Sequence, residues 1–180
     1  MIRLFVGLEL PEPMRQRLAL LSGGLPGARW ISPENFHLTV RFIGEVDGGR
    51  FEDIDAALAR VKAPAFELTL EGVSTFEKAS KPHTLWVGVK RNDHLNALHA
   101  KVDRALIAAG LEPEGRKYSP HVTLARLKET ARARLGTFVA ANALFRCGPE
   151  PIGAFVLFSS FLSRGGSIYQ VEARYPLAPV

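Results

Sequence analysis

The chain has 180 residues, nearly half of them hydrophobic and about a quarter charged, an ordinary globular composition that excludes disorder or low complexity as its organising character. Its 23 Lys and Arg outweigh 18 Asp and Glu, and the net +5 favours polyanionic partners, although the basic residues are scattered and form no tract. The lone Cys147 excludes an internal disulfide and any multi-cysteine metal cluster, which points to a reducing, cytoplasmic setting. The opening MIRLFVGLEL is too short for a signal peptide, and no stretch approaches the roughly 20 apolar residues of a membrane span, so a soluble chain is expected.

In chain order, Ile2, Leu4, Val6 and Leu8 alternate as in a strand, and Pro11 and Pro13 introduce a helix through Leu21. Trp30 and Ile31 suggest a short strand, and a clearer one follows over 35–44. Phe51, Ile54, Leu58 and Val61 have helical spacing, stopped by Pro64. Phe66, Leu68 and Leu70 alternate, as do Leu85, Val87 and Val89, which predicts two strands joined through a polar loop, Glu77 to His83. Leu95, Leu98, Val102, Leu106 and Ala109 mark a long helix capped by Gly110. A strand over 121–127, a short helix near 129–140 and two final strands, about 152–162 and 167–177, complete the reading. Strands and helices do not alternate strictly, so the expected class is α+β with antiparallel pairing in one domain, 1–180.

One local pattern occurs twice. Phe36-His37-Leu38-Thr39-Val40 and Pro120-His121-Val122-Thr123-Leu124 both place His-x-Thr in an apolar strand. Residues two apart in a strand share a face, so His37 stands beside Thr39 and His121 beside Thr123, with Phe36, Leu38, Val40 and Phe42 on the opposite, core-facing side. A single strand histidine is ordinarily structural. Two of them, each paired with a hydroxyl, supply what metal-free phosphodiester cleavage needs: one imidazole to give a proton and one to take it near neutral pH, with short donors for phosphate oxygens.

These residues resemble the 2H phosphoesterase superfamily, most closely its bacterial and archaeal RNA 2′,3′-cyclic phosphodiesterases, also called 2′-5′ RNA ligases. The resemblance spans the chain: RLFVGLELP, Trp30 ahead of NFHLTVRFIGEV, YSPHVTLAR, and the closing LFSSFLSRGGSIYQVEARYPL. It implies two pseudo-symmetric lobes, each an antiparallel sheet backed by helices, with one His-x-Thr strand from each lining the cleft between them. It further implies that His37 protonates the leaving 3′ oxygen and His121 accepts the proton of the attacking water, leaving a 2′-phosphate end. Thr39 and Thr123 would hold the non-bridging oxygens, and Arg126 matches a family arginine that neutralises the phosphate.

Strict alternation from His121 puts Arg126 on the back face, so it reaches the phosphate only if the strand ends or bulges after Leu124. The same rule brings Arg41 to the His37 face as a secondary phosphate or RNA contact. Tyr118 is a candidate ring for stacking the terminal base, and Phe36 goes to the core by period. No role is assigned to Ser163, Arg164 or Tyr169.

No metal is expected, since nothing has the form His-Glu-x-x-His, and His94 and His99 point about 140° apart on a helix. All three remaining histidines, His83 included, are read as solvent-exposed or locally bonded. No cofactor is expected either, because no P-loop or nucleotidyl-transfer motif appears. The expected partner is RNA ending in a 2′,3′-cyclic phosphate, or a small cyclic nucleotide, bound by a monomer. Two alternatives stand beside hydrolysis: 2′-5′ ligation, which shares its transition state, and a binding module without turnover.

Overall fold

A computed structural model describes residues 1–179. The expected α+β class is what it shows, with every strand pair of its two sheets antiparallel. The first sheet is built from β1 (Ile2–Glu9), β3 (His37–Val46), β8 (Ala154–Ser163) and β9 (Gly166–Pro176), in the order β3-β1-β8-β9. The second contains β2 (Ala28–Trp30), β4 (Phe66–Lys78), β5 (Lys81–Val89), β6 (His121–Leu127) and β7 (Arg146–Ile152), in the order β2-β6-β5-β4-β7.

Four α-helices complete the described residues: α1 (Glu12–Ala19), α2 (Gly48–Ala59), α3 (Asp93–Ala108) and α4 (Arg132–Ala141). Local chemistry starts and stops them. Asp47 and Asn92 accept from the backbone N–H groups of Arg50 and Leu95 as N-caps of α2 and α3. Gly110, at φ +97°, closes α3 in a conformation that glycine adopts without strain. Helix α3 buries Leu95, Leu98, Val102 and Leu106, a 3.6-residue stripe, and packs on α2 and β3. The back faces of both sheets contribute to one apolar cluster, in which Leu4, Val6, Leu8, Leu38, Leu85, Val87, Val122 and Leu124 are all buried.

The sequence reading misses β7. Pro149 and Pro151 argue against a strand, yet β7 lies at the edge of its sheet, where a missing N–H interrupts only one ladder. The two strands expected to join in a long hairpin over 77–83 do form a hairpin, with a much tighter turn. β4 runs on to Lys78 and turns through Ala79 and Ser80, both at positive φ, so that His83 belongs to β5.

Two irregularities decide where the side chains of the repeated strands point. In β3 the pairing with β1 jumps from Gly7 opposite Thr39 to Val6 opposite Arg41, leaving Val40 unpaired. In β6 the pairing with β5 jumps from Trp86 opposite Thr123 to Leu85 opposite Ala125, leaving Leu124 unpaired. Each bulge sits three residues after its histidine and reverses the alternation beyond it.

Candidate active site

The front faces of the two sheets enclose a cleft of about 750 Å³, and β3 and β6 approach each other at its base. His37, Thr39, His121 and Thr123 all line it. Each imidazole is held the same way: Nδ1 of His37 lies 2.8 Å from the carbonyl of Asn35, and Nδ1 of His121 lies 2.7 Å from that of Ser119. A carbonyl only accepts, so Nδ1 carries the proton in both rings and Nε2 is left for the cleft.

Aromatic walls fix the ring planes. Tyr169 meets His37 edge-on at 4.8 Å, with Phe5 at 4.9 Å, and Phe76 meets His121 edge-on at 4.8 Å. These walls remove water, and burial is the main reason that both histidines titrate below their ordinary value; the charge of Arg126 adds to the effect on each, while the carbonyl bonds oppose it.

Because of the bulge at Leu124, Arg126 faces the cleft, where its Nη1 donates to the buried hydroxyl of Thr84 at 3.0 Å. The bulge at Val40 does the reverse to Arg41. That side chain is buried behind the sheet, donating to Asp103 at 2.7 Å and to the carbonyls of Phe42 and Glu112 at 2.6 Å. Arg41 is therefore corrected from a cleft residue to a structural one that ties β3 to α3. Phe42, expected in the core, instead enters the cleft with 59% of its surface exposed.

Tyr118 also needs correction as a base-stacking ring. It lies flat on His99 at 4.0 Å, packs against the core and donates its hydroxyl to the carbonyl of Thr39, and burial raises its pKa. His99 is thus covered rather than solvent-exposed. His83 does line the cleft, with Nδ1 2.7 Å from the Thr84 hydroxyl.

Sequence reasoning missed Phe42, Phe76, Thr84 and His83 as cleft residues, and left Tyr169 without a place. Phe42 and Phe76 carry no signal, whereas Asn35 and Ser119, each two residues ahead of its histidine, extend the visible repeat. Among the described residues, no three His, Cys, Asp or Glu side chains gather as metal ligands, and no helix is long and apolar enough to cross a membrane.

The duplication visible in the strands is also found by comparison: a family model for LigT-like phosphoesterases matches the chain twice, over residues 8–86 and 87–169. The chain belongs to the LigT-like phosphoesterase family. Among curated relatives of this phosphoesterase, an RNA 2′,3′-cyclic phosphodiesterase of Thermotoga maritima is 33% identical, with 94% of this chain and 92% of that protein aligned. Another of the same name, from Aeropyrum pernix, is 32% identical over 87% of this chain and 89% of its own. The crystal structure of Escherichia coli LigT without ligand superposes with a TM-score of 0.80 at 24% identity, covering 98% of both chains, and LigT has also been solved with 3′-AMP. The two-lobed fold of LigT is thus the fold of this phosphoesterase.

Proposed function

We propose that the chain hydrolyses 2′,3′-cyclic phosphate ends of RNA to 2′-phosphate ends by paired histidine acid–base catalysis, without metal or cofactor. The observation that carries this reading is the matched pair of imidazoles in one cleft, each with Nδ1–H committed to a carbonyl two residues upstream and Nε2 free. The relatives named RNA 2′,3′-cyclic phosphodiesterase supply the substrate class.

In the proposed reaction His121 accepts a proton through Nε2 from a water molecule as its oxygen attacks phosphorus. The P–O3′ bond breaks and His37, entering as the imidazolium, delivers its Nε2 proton to O3′. The products are a 2′-phosphate and a free 3′ hydroxyl; His37 ends neutral, His121 ends charged, and exchange with solvent restores both. The assignment of acid and base follows the family resemblance. Thr39 and Thr123 donate to non-bridging oxygens, while Arg126 neutralises the charge that develops on them.

Phe42 stands five residues after His37, as Arg126 stands five after His121, so the two lobes present an aromatic ring and a cation at equivalent positions. A nucleotide has one group for each: the base for Phe42 and the phosphate for Arg126. All these groups come from one chain, and we propose a single two-lobed unit, 1–180, that acts as a cytoplasmic monomer.

The test is incubation with EDTA, and no added nucleotide, of an oligoribonucleotide ending in a 2′,3′-cyclic phosphate, followed by mass measurement and treatment with a 3′-specific phosphatase. A phosphatase-resistant monophosphate that His37→Ala and His121→Ala no longer produce is the expected result. Full activity in either variant, or activity only after metal is restored, would overturn the mechanism.

A further inference from the structure

The tip of the β8–β9 hairpin is unusual for a surface turn. Phe161, Leu162 and Ile168 are 48%, 88% and 52% exposed, so the tip presents apolar side chains to solvent on both faces, Phe161 with Ile168 on one and Leu162 on the other. Phe161 and Leu162 lie at the mouth of the cleft, which makes the tip continuous with the site already described. Phe161 pairs with Ile168 and Leu162 with Ser167, leaving Arg164 and Gly165 as the turn.

The tip is fastened on one side and has an arginine close by on the other. Asn35 Nδ2 donates to the carbonyl of Ser167 at 2.9 Å, and the carbonyl of that same Asn35 holds His37. From the opposite lobe, Nη2 of Arg29 reaches to 3.7 Å from where a Cβ on Gly166 would stand. Among the described residues neither Arg29 nor Arg164 has a carboxylate within ion-pair distance, and residues 160–170 contain no acid.

An exposed ring, Phe161, with aliphatics beside unpaired cations and without acids, suits single-stranded nucleic acid: a base stacks and phosphodiesters find charge. A cyclic phosphate occupies the 3′ end of its strand, so a chain leaving the cleft continues through its 5′ neighbour. We infer that this hairpin tip is the platform for the nucleotides on the 5′ side of the reacting one. The preferred substrate is then a single-stranded oligonucleotide end rather than a mononucleotide. The inference rests on the hydrolase reading above.

Comparing kcat/KM for 2′,3′-cyclic AMP and for a tetranucleotide with a cyclic end tests it. The unaltered protein should prefer the tetranucleotide. Phe161→Ser with Leu162→Ser should lower kcat/KM on the tetranucleotide about 10-fold, through KM, and leave the mononucleotide unchanged, which also shows that the variant folds. Arg29→Gln with Arg164→Gln, far milder for folding, should flatten the salt dependence for the tetranucleotide alone. Equal losses on both substrates, no loss on either, or a dimer that the Ser variant abolishes would overturn the inference, the last by making the tip a contact between copies. Turnover of the mononucleotide with no gain for the tetranucleotide defeats the platform while leaving the hydrolase reading intact. Failure on both substrates defeats the hydrolase reading itself.

Discussion

Arg126 Nη1 donates to Thr84 Oγ1 at 3.0 Å across the β5–β6 pair, and the same hydroxyl lies 2.7 Å from Nδ1 of His83. Thr84 is fully buried, so one hydroxyl fixes the guanidinium that faces the cleft. Thr84→Val should raise KM about 10-fold, the effect of losing one hydrogen bond to a charged group, with a smaller change in kcat. Thr84→Ser should restore it. Steady-state kinetics on a cyclic mononucleotide decides the matter, and an unchanged KM in the valine variant would show that the arginine positions itself.

Arg41 and Arg126 should separate cleanly in mutagenesis. The Arg41 side chain is only 5% exposed and is paired with Asp103, so Arg41→Met breaks a buried pair and should destabilise the fold by about 3 kcal/mol in denaturant titration, leaving the folded protein's kinetics intact. Arg126→Met should do the opposite, abolishing most activity at nearly unchanged stability. Loss of activity without loss of stability in Arg41→Met would put that residue back in the cleft.

The pH profile follows from two histidines that both titrate below the ordinary value of 6.5 in the free protein. Turnover needs His121 neutral, which sets the acid limb, and His37 charged, which sets the alkaline limb. The bell for kcat/KM should therefore be declining by pH 6.5. The bound phosphate anion favours both imidazolium forms, so the kcat profile should lie at higher pH. Arg126→Gln removes a cation that lowers both values and should move the kcat/KM bell upward. A kcat/KM maximum near pH 8 in the unaltered protein contradicts the assignment.

Stability should also fall with acid. His37, His99 and His121 all have lowered values in the folded chain, each chiefly through burial, so the unfolded chain binds more protons below pH 6.5. The sign is fixed: stability is complete above 6.5 and is lost as pH drops through the folded-state values. Thermal melts at pH 7.5 and 5.5 should show the decrease, and His37→Gln should make it smaller. A melting temperature that rises on acidification would be inconsistent with buried, neutral imidazoles.

The paired histidines and threonines were legible because a strand's alternation is local, and so were the helices, whose stripes and caps lie within a few residues. Beyond Val40 and Leu124 the same reasoning reversed Arg41 and Phe42 and left Arg126 conditional. A bulge depends on how a neighbouring strand pairs, and nothing in HLTVRF or HVTLAR marks one. His83 was placed in a loop because its hairpin turns through Ala79-Ser80 rather than the Asn-Gly or Asp-Gly that announces such a turn. Tyr118 was misplaced because its partner, His99, comes from α3, a pairing that only the tertiary fold creates.

β1 precedes the other described strands and is one of the two inner strands of its sheet. β1 needs β3 on one side and β8 on the other: Arg3 pairs with Ser160, and Glu9 is joined to Arg174 at 2.7 Å. As the chain leaves the ribosome, β1 keeps an open edge until β8 emerges. Phe158 and Tyr169, which wall His37, arrive on β8 and β9. The second lobe can close around His121 beforehand, since all five of its strands precede β8. Synthesis thus finishes the two histidine environments in the reverse of their order along the chain, and the cleft is completed only once β8 and β9 have been made.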